Sequence, residues 1–508
     1  MTQEFWHNMT GKIPSLRSAK NIQMSPKKQK ERTPMKRMLI LLLAGILLLS
    51  AVSCTGAGKG PEAPTTPEQT QQTTAASQCE VPETLRFDGG TFTFAVYENV
   101  NVNNLMFPVF EESDSLNKTL VDRRGRTEER FGIELAQLVY PDQPARFQNP
   151  IQSGLAEFDV ANVRCTQAIA LWSAGLLTPV SQLPYVDAKK DYWCASINDS
   201  ISLRGENYTL IGDMLVSSYD LTYALLFNQS MTVSYGLEDP FEIVGKGDWT
   251  TEKMFTMMKS VTQDRDMDGQ MTEADIYGYV AHSKQVLPNF WIAAGEKSIR
   301  KDEETDMPYL AMGSERFIEV VDRVFDITWD AGTYRKPEDE RISDIPIDII
   351  NLFAAGQALF IDTSFFYITQ MNSLTSDFGV IPYPKFDEEQ RSYYSRLSYY
   401  NAPVVPLTNG DPDMVGAVLE YFNYVSREIV VPEYYDRILK IRSVSDERSS
   451  DMLDLIFRVR VTDIGDTTLC DEIRDGFVYD MFRENDRNLV SKLPEAEAAL
   501  AKLLEGVR

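Results

Sequence analysis

Residues 157–192 read EFDVANVRCTQAIALWSAGLLTPVSQLPYVDAKKDY, and the architecture of the chain turns on them. An acidic-plus-apolar strand at Phe158–Val160 leads into a helix that runs out at Ala174-Gly175-Leu176-Leu177. Strand followed by helix is the unit from which mainly parallel sheets are built. The alternation continues on either side. Gly90–Tyr97 (GTFTFAVY) carries β-type residues after a Gly-Gly turn, Asn117–Phe131 has helical spacing, and a short strand is expected around Ile133–Leu135. Thr250 is placed to cap a helix whose Met254, Met257, Met258 and Val261 fall at i, i+3, i+4 and i+7. Phe317, Val320, Val321 and Val324 repeat that stripe, and so do Met414, Ala417, Val418, Tyr421 and Val425. Stripes of this kind, methionines included, belong to a core before they belong to a ligand surface. About 420 residues follow Phe87, too many for one sheet core, so an α/β fold in two lobes is expected.

The whole chain has 508 residues, 43% hydrophobic and 25% charged, which is globular composition. Its net charge of −25 is unevenly spread: residues 1–53 carry nine Lys/Arg and two Asp/Glu, which leaves −32 on the remainder. An acidic body repels phosphate backbones, so nucleic acid is not an expected partner. It repels anionic lipid too, so membrane attachment calls for a specific anchor. Only His7 and His282 are present, which rules out a zinc site built on several imidazoles, although a triad using His282 stays open. Cysteines stand at 54, 79, 165, 194 and 470 with no CxxC pair, so no metal or redox motif is visible. Cys165 and Cys194 remain possible disulfide partners in an oxidising exterior.

The N-terminal part is address and tether. Lys36 and Arg37 precede an apolar run of 14 residues, Leu39–Val52, too short for a comfortable span of hydrocarbon yet suited to a signal peptide. Ala51 and Ser53 precede Cys54, and the pattern resembles a bacterial lipoprotein signal, in which that cysteine is lipidated. Residues 1–53 are therefore assigned to the signal, with Met35 as an alternative start. Residues 54–85 are assigned to a flexible tether, since Gly, Pro, Thr and Gln dominate its first part. Some 31 flexible residues span roughly 30 Å.

Further stretches extend the pattern begun at 157–192: Tyr223–Asn228 (YALLFN), the tract Tyr235–Tyr279, Phe353–Ile361 (FAAGQALFI), Phe378–Phe386 (FGVIPYPKF) and Tyr399–Pro406 (YYNAPVVP). Together they resemble the extracellular solute-binding proteins of carbohydrate ABC transporters, in matching order across most of residues 86–430. The resemblance implies two α/β lobes joined by several crossings, with residues 86–222 and 343–398 in one and 223–342 and 399–508 in the other. It implies a solute held in the cleft, an ABC permease as partner, a monomer, and no catalysis. Residues at places where the family turns loops to the cleft are Trp172, Tyr219, Trp291, Phe366, Tyr367 and Tyr400 as aromatic platforms, Trp291 foremost. Asp220, Glu296, Asp362 and Asn401 are the polar candidates. Sugar hydroxyls need hydrogen-bonding groups, while the C–H faces of pyranose rings lie against aromatic planes.

One motif stands apart from the resemblance. From Asp264 to Asp275, oxygen donors fall at positions 1, 3, 5, 9 and 12 (Asp264, Asp266, Asp268, Thr272, Asp275), with Gly269 at 6 and Gln270 at 7. That is the spacing of an EF-hand-type Ca²⁺ loop, here expected to be structural. Aspartate in place of glutamate at position 12 shortens the arm that normally ligates with both oxygens. Two rival functions stand beside this reading. A secreted carbohydrate-active enzyme needs two carboxylates across a cleft, which 75 acidic residues supply by chance, but no nucleophile elbow or phosphate loop is visible. A binding protein that feeds a sensor or chemoreceptor differs only in its partner.

Overall fold

The computed structural model describes residues 78–98, 115–141, 143–335, 346–369, 371, 377–439 and 447–505. The signal segment, Cys54 and most of the tether lie outside the described residues. Two main mixed sheets organise the chain. The first contains β1 (Thr91–Tyr97), β2 (Glu134–Tyr140), β3 (Val160–Arg164), β4 (Leu177–Thr178) and β12 (Asn401–Pro406), in the order β2-β1-β3-β12-β4. The second has the order β10-β5-β9-β6, from β5 (Tyr223–Asn228), β6 (Tyr277–Val280), β9 (Ala358–Ser364) and β10 (Phe378–Ile381). Two small pairs complete the set: β7 (Ile299–Lys301) with β8 (Pro308–Leu310), and β11 (Ser395–Arg396) with β13 (Arg460–Val461).

The strands read as they do because both faces are covered. In β5, Leu225 and Phe227 enter one apolar core while Ala224 and Leu226 enter another, so YALLFN has no need to alternate with polar residues. The helix Thr251–Val261 buries its methionine stripe, capped by Thr250, whose hydroxyl accepts from the Lys253 amide at 3.3 Å. Glu315–Phe325 buries the stripe expected of it, and Pro412–Val425 does so in the core around the first sheet except at Tyr421, which is half-buried. No helix among the described residues is long and apolar enough to cross a membrane.

Two expectations are corrected. Strand pairing places β9 and β10 beside β5 and β6, so residues 358–381 belong with the second sheet, and β12 belongs with the first. Residues 358–381 thus leave the first lobe expected of them, and residues 401–406 with the helix Pro412–Val425 leave the second, while residues from Met452 onward do pack into the cores of the second sheet. The tether is shorter than expected: Val81 is buried in the first core, and Arg130 donates to its carbonyl and to that of Pro82. The open question of a Cys165–Cys194 bridge is answered by the fold, in which both are free thiols.

Candidate solute-binding crevice

In the first sheet the parallel strands β1 and β3 end at Tyr97 and Arg164, and β12 starts beside them, Asn401 paired with Arg164. In the second, β6 and β9 end at Val280 and Ser364, and β5 starts at Tyr223, paired with Ser364. Thr222, next to Tyr223, bridges Leu397, a few residues before Asn401, so the two strand-end edges face one another across this connection. In open α/β sheets ligands bind outside the carboxyl ends of the strands. That rule puts the crevice here.

The edges carry groups suited to a polar ring compound. The Arg164 guanidinium stands 5.4 Å from the Tyr97 ring centre, and the helix Cys165–Ser173 departs from this point. Across from it, His282 caps the helix Ser283–Ala293, its Nδ1 accepting from the Lys284 amide at 3.2 Å. Lys284 pairs with Asp475 at 3.3 Å. Burial pushes the Asp475 carboxyl up, but Arg474 and Lys284 outweigh it and hold the group below its ordinary value. Phe366 and Tyr367 follow β9, half-buried and edge to face with ring centres 5.2 Å apart. Burial raises the Tyr367 hydroxyl to about 12, so it stays a neutral donor at any physiological pH.

A segment from Arg460 to Asp475 is wedged between the layers. On the second-layer side, Asp463 accepts from Trp291 Nε1 at 2.9 Å, from the Ser298 amide at 2.6 Å and from the Ser298 hydroxyl at 2.8 Å. Gly465 permits that approach, since a Cβ there would meet Ser298 Oγ at 2.2 Å. On the first-layer side the contacts are fewer: Cys165 Sγ to the Thr467 carbonyl at 3.6 Å, Tyr400 to Thr468 at 3.0 Å, and Ser196 Oγ to the Arg460 carbonyl at 2.8 Å.

The expected site residues divide into those the fold brings to the crevice and those it buries. Phe366 and Tyr367 stand half-buried after β9, and Asn401 opens β12 at the opposite edge, itself buried. Trp172 and Tyr400 share a cavity of about 40 Å³ closed by Ile464 and Thr468, where Tyr208 meets the Trp172 ring at 6.0 Å. That volume has room for a few waters, each needing about 10–15 Å³ on the same measure. Glu296 lines a wider pocket, of about 870 Å³, further along. The other four are interior. Trp291, 1% exposed, lies within a helix rather than a loop, packed against Phe317. Tyr219 donates to Asp213 at 2.8 Å beneath the Arg460 guanidinium. Asp220 accepts from Tyr434, and Asp362 accepts from Tyr279 at 2.9 Å, Tyr383 at 2.6 Å and Asn289 at 2.7 Å. Burial raises both carboxyls to about 6. Each of these side chains is engaged as an internal strut. Arg164, Lys284 and the aspartates of the wedge were not anticipated; the run VTDIGDTTLCDEIRDGF, acidic and apolar together, was the available signal.

The aspartate loop gathers three of its six expected ligands. Carboxylate oxygens of Asp264, Asp266 and Asp268 lie within 4.8 Å of one another. Asp264 accepts from the Met267 and Gly269 amides at 2.7 and 2.8 Å, with Gly269 at a φ of 81° that suits glycine. The Asp268 amide lowers the Asp266 carboxyl, but desolvation and the neighbouring carboxylates leave it raised. Asp275 stands outside this group. Buried, it accepts from the Arg265 amide at 2.8 Å and the Thr272 amide at 2.6 Å, and the Thr272 hydroxyl donates to it as well. Gln270 is exposed, its amide donating to Asp268 at 2.7 Å.

Two mixed sheets whose strand ends meet across a crevice are the architecture of the solute-binding proteins of carbohydrate ABC transporters, and this chain has that fold. A sugar transporter protein from Rhizobium etli, solved in an open conformation, matches at a TM-score of 0.55 and 12% identity, over 82% of this chain and 98% of its own. A cyclo/maltodextrin-binding protein complexed with maltotetraose matches at 0.53 and 13%, over 83% and 97%. An ABC substrate-binding protein from Listeria monocytogenes, in complex with cycloalternan, matches at 0.51 and 13%, over 82% and 100%. No protein-family model and no curated relative matches the chain by sequence.

Proposed function

We propose that this chain captures a carbohydrate in the crevice between its two sheet layers and delivers it to an ABC permease. A lipid on Cys54 would hold it at the extracytoplasmic face of the cell membrane. The observation that carries the reading is the meeting of two strand-end edges, furnished with Tyr367, Phe366, Arg164 and Asn401. Aromatic faces and fixed hydrogen-bonding groups on opposed walls suit a neutral polyhydroxyl ring. A solute gripped by both walls favours the closed arrangement by its differential affinity. The solved structures of like fold are binding proteins, which supports a non-catalytic role. Asp264, Asp266 and Asp268 supply the hard oxygens a Ca²⁺ needs, and the ion would stiffen the loop leading into β6.

The test is a thermal-shift screen of the full chain in detergent against glucose, galactose, mannose, maltose, cellobiose, raffinose and maltotetraose. At least one sugar raises the melting temperature, and Tyr367→Ala weakens its binding tenfold or more. A flat response to all seven sinks the reading.

A further inference from the structure

The wide pocket lies away from the strand ends. The helix Ser283–Ala293 starts at the crevice edge and, at 1.5 Å per residue, carries the chain roughly 15 Å from it before Gly295. The wedge runs beside that helix, from Asp475 at Lys284 to Asp463 at Ser298, and so lies along the interval between crevice and pocket.

Each wall of the pocket comes from a different layer. Ser196, Asp199 and Ser200 sit on the helix Ala195–Ile201, whose Ile197 and Ile201 pack in the first core. The facing wall runs from Ile292 to Tyr309, with Tyr394 beside it. Lys297 ties the walls together, its Nζ donating to Ser200 Oγ at 2.6 Å. Further along, Asp306 accepts from Ser202 Oγ at 2.8 Å and the Gly205 amide at 2.9 Å.

The chemistry of the lining selects a ligand class. Five carboxylates line the pocket against three cations, which disfavours an anion. Each cation is already engaged: Arg300 with Glu296 at 2.9 Å, Lys301 with Asp306 at 2.5 Å, and Lys297 with Ser200. What the walls offer is a ring of hydrogen-bond donors and acceptors with two aromatic rings. Tyr309 is 48% exposed, and Tyr394 stands so close to Gly295 that a Cβ there would lie 3.0 Å from its ring. At about 870 Å³ the pocket falls in the upper part of the roughly 300–1,000 Å³ range of ligand sites.

We propose that this pocket is a second carbohydrate site, for a neutral oligosaccharide, separate from the strand-edge crevice; it rests on the sugar-binding reading above. Because its walls belong to both layers, its occupancy is linked to that of the crevice, each biasing the same separation of the layers.

Calorimetric titration of the full chain in detergent with the same seven sugars tests this. The expected result is two sites for at least one sugar. Tyr394→Ala and Arg300→Ala each weaken one site tenfold or more, and Tyr367→Ala weakens the other. Arg300 is exposed, so its variant folds even where loss of the Tyr394 ring disturbs Gly295. A single site that ignores both pocket variants overturns the proposal and leaves the crevice reading standing. A single site lost in both pocket variants upholds the pocket and removes the crevice. Absence of binding by any sugar removes both.

Discussion

Arg396 and Asp466 are joined twice, Nε to Oδ2 at 2.6 Å and Nη2 to Oδ1 at 2.7 Å, with both side chains closed off from solvent. Arg396 comes from β11, between the strands of the two sheets, and Asp466 from the wedge. The guanidinium also donates to Gln285 at 2.7 Å and Asn289 at 3.1 Å, and Arg474 reaches the Asp466 carbonyl at 2.9 Å. The pair therefore fixes the wedge to the second layer. Removing one member of a buried pair strands the other, at a cost of about 3–5 kcal/mol. Asp466→Ala leaves the buried Arg396 guanidinium without a carboxylate, while Arg474 keeps Asp475 at 2.8 Å, whereas Arg396→Met leaves Asp466 with Arg474 at 3.4 Å. Urea unfolding should show the larger loss for Asp466→Ala; the opposite order would mean that Arg474 contributes nothing to holding the wedge.

Trp291 is the residue for which sequence and structure part most sharply. Its ring fills the second-layer core and its indole N–H meets a buried carboxylate. Trp291→Ala should cost about 3–5 kcal/mol, as large-to-small core changes do. Trp291→Phe should cost less, retaining much of the packing while leaving Asp463 one donor short. Sugar affinity of the folded fraction should be unaltered in both. An unchanged melting curve for the alanine variant, with weakened binding, would return Trp291 to the site.

Three buried aspartates set a pH dependence. Burial raises Asp213, Asp220 and Asp362 to about 6, against the partial relief given by Arg427 and Tyr219, by Tyr434, and by Tyr383, Tyr279 and Asn289 respectively. Their folded-state values lie above the unfolded value near 3.8, so their contribution to stability is fully present below that pH. It is lost as the pH rises through 6. The depressed carboxyls Asp306, Asp387 and Asp475 act oppositely, but only below their ordinary range. Between pH 5 and 7 the raised group dominates, and the melting temperature should fall as the pH is increased. Asp362→Asn keeps an acceptor for the two tyrosines and should raise the melting temperature at pH 7 while flattening the slope. A melting temperature that climbs from pH 5 to 7 would contradict the assignment.

The parts of this fold legible in the sequence are those governed by local spacing. Met254, Met257, Met258 and Val261 declare a buried helix face by period alone, and Thr250 declares its start. The partners of YALLFN are another matter, because β5 is apolar on both faces and its neighbours β9 and β10 lie more than 100 residues away. Nothing local says to which sheet such a strand returns. NFWIAAG is likewise apolar at nearly every position, so it hides which way Trp291 points. Asp463 and Asp466 read as surface residues until their partners are known, and Arg396 is 70 residues distant. That Phe366 and Tyr367 follow β9 and that Asn401 opens β12 is legible, because position relative to a strand end is itself a local property.

The aspartate loop yields the last prediction. Three carboxylates whose oxygens lie within 4.8 Å repel one another, and the amides of Met267, Gly269, Asp268 and Gln270 offset only part of that. A Ca²⁺ at their centre replaces repulsion with attraction and stabilises whichever state forms the cluster, here the folded one. Asp275, engaged by the Arg265 and Thr272 amides, closes the loop but stands outside the group, so the site has fewer charged ligands than a full EF-hand and should bind correspondingly more weakly. Millimolar Ca²⁺ should raise the melting temperature, EGTA should reverse the rise, and Asp266→Asn together with Asp268→Asn should abolish the response. Asp275→Asn should instead lower the melting temperature in the presence and absence of Ca²⁺ alike, since it weakens a backbone clamp. A calcium response that survives the double substitution but vanishes with Asp275→Asn would reverse these roles and make Asp275 the principal ligand.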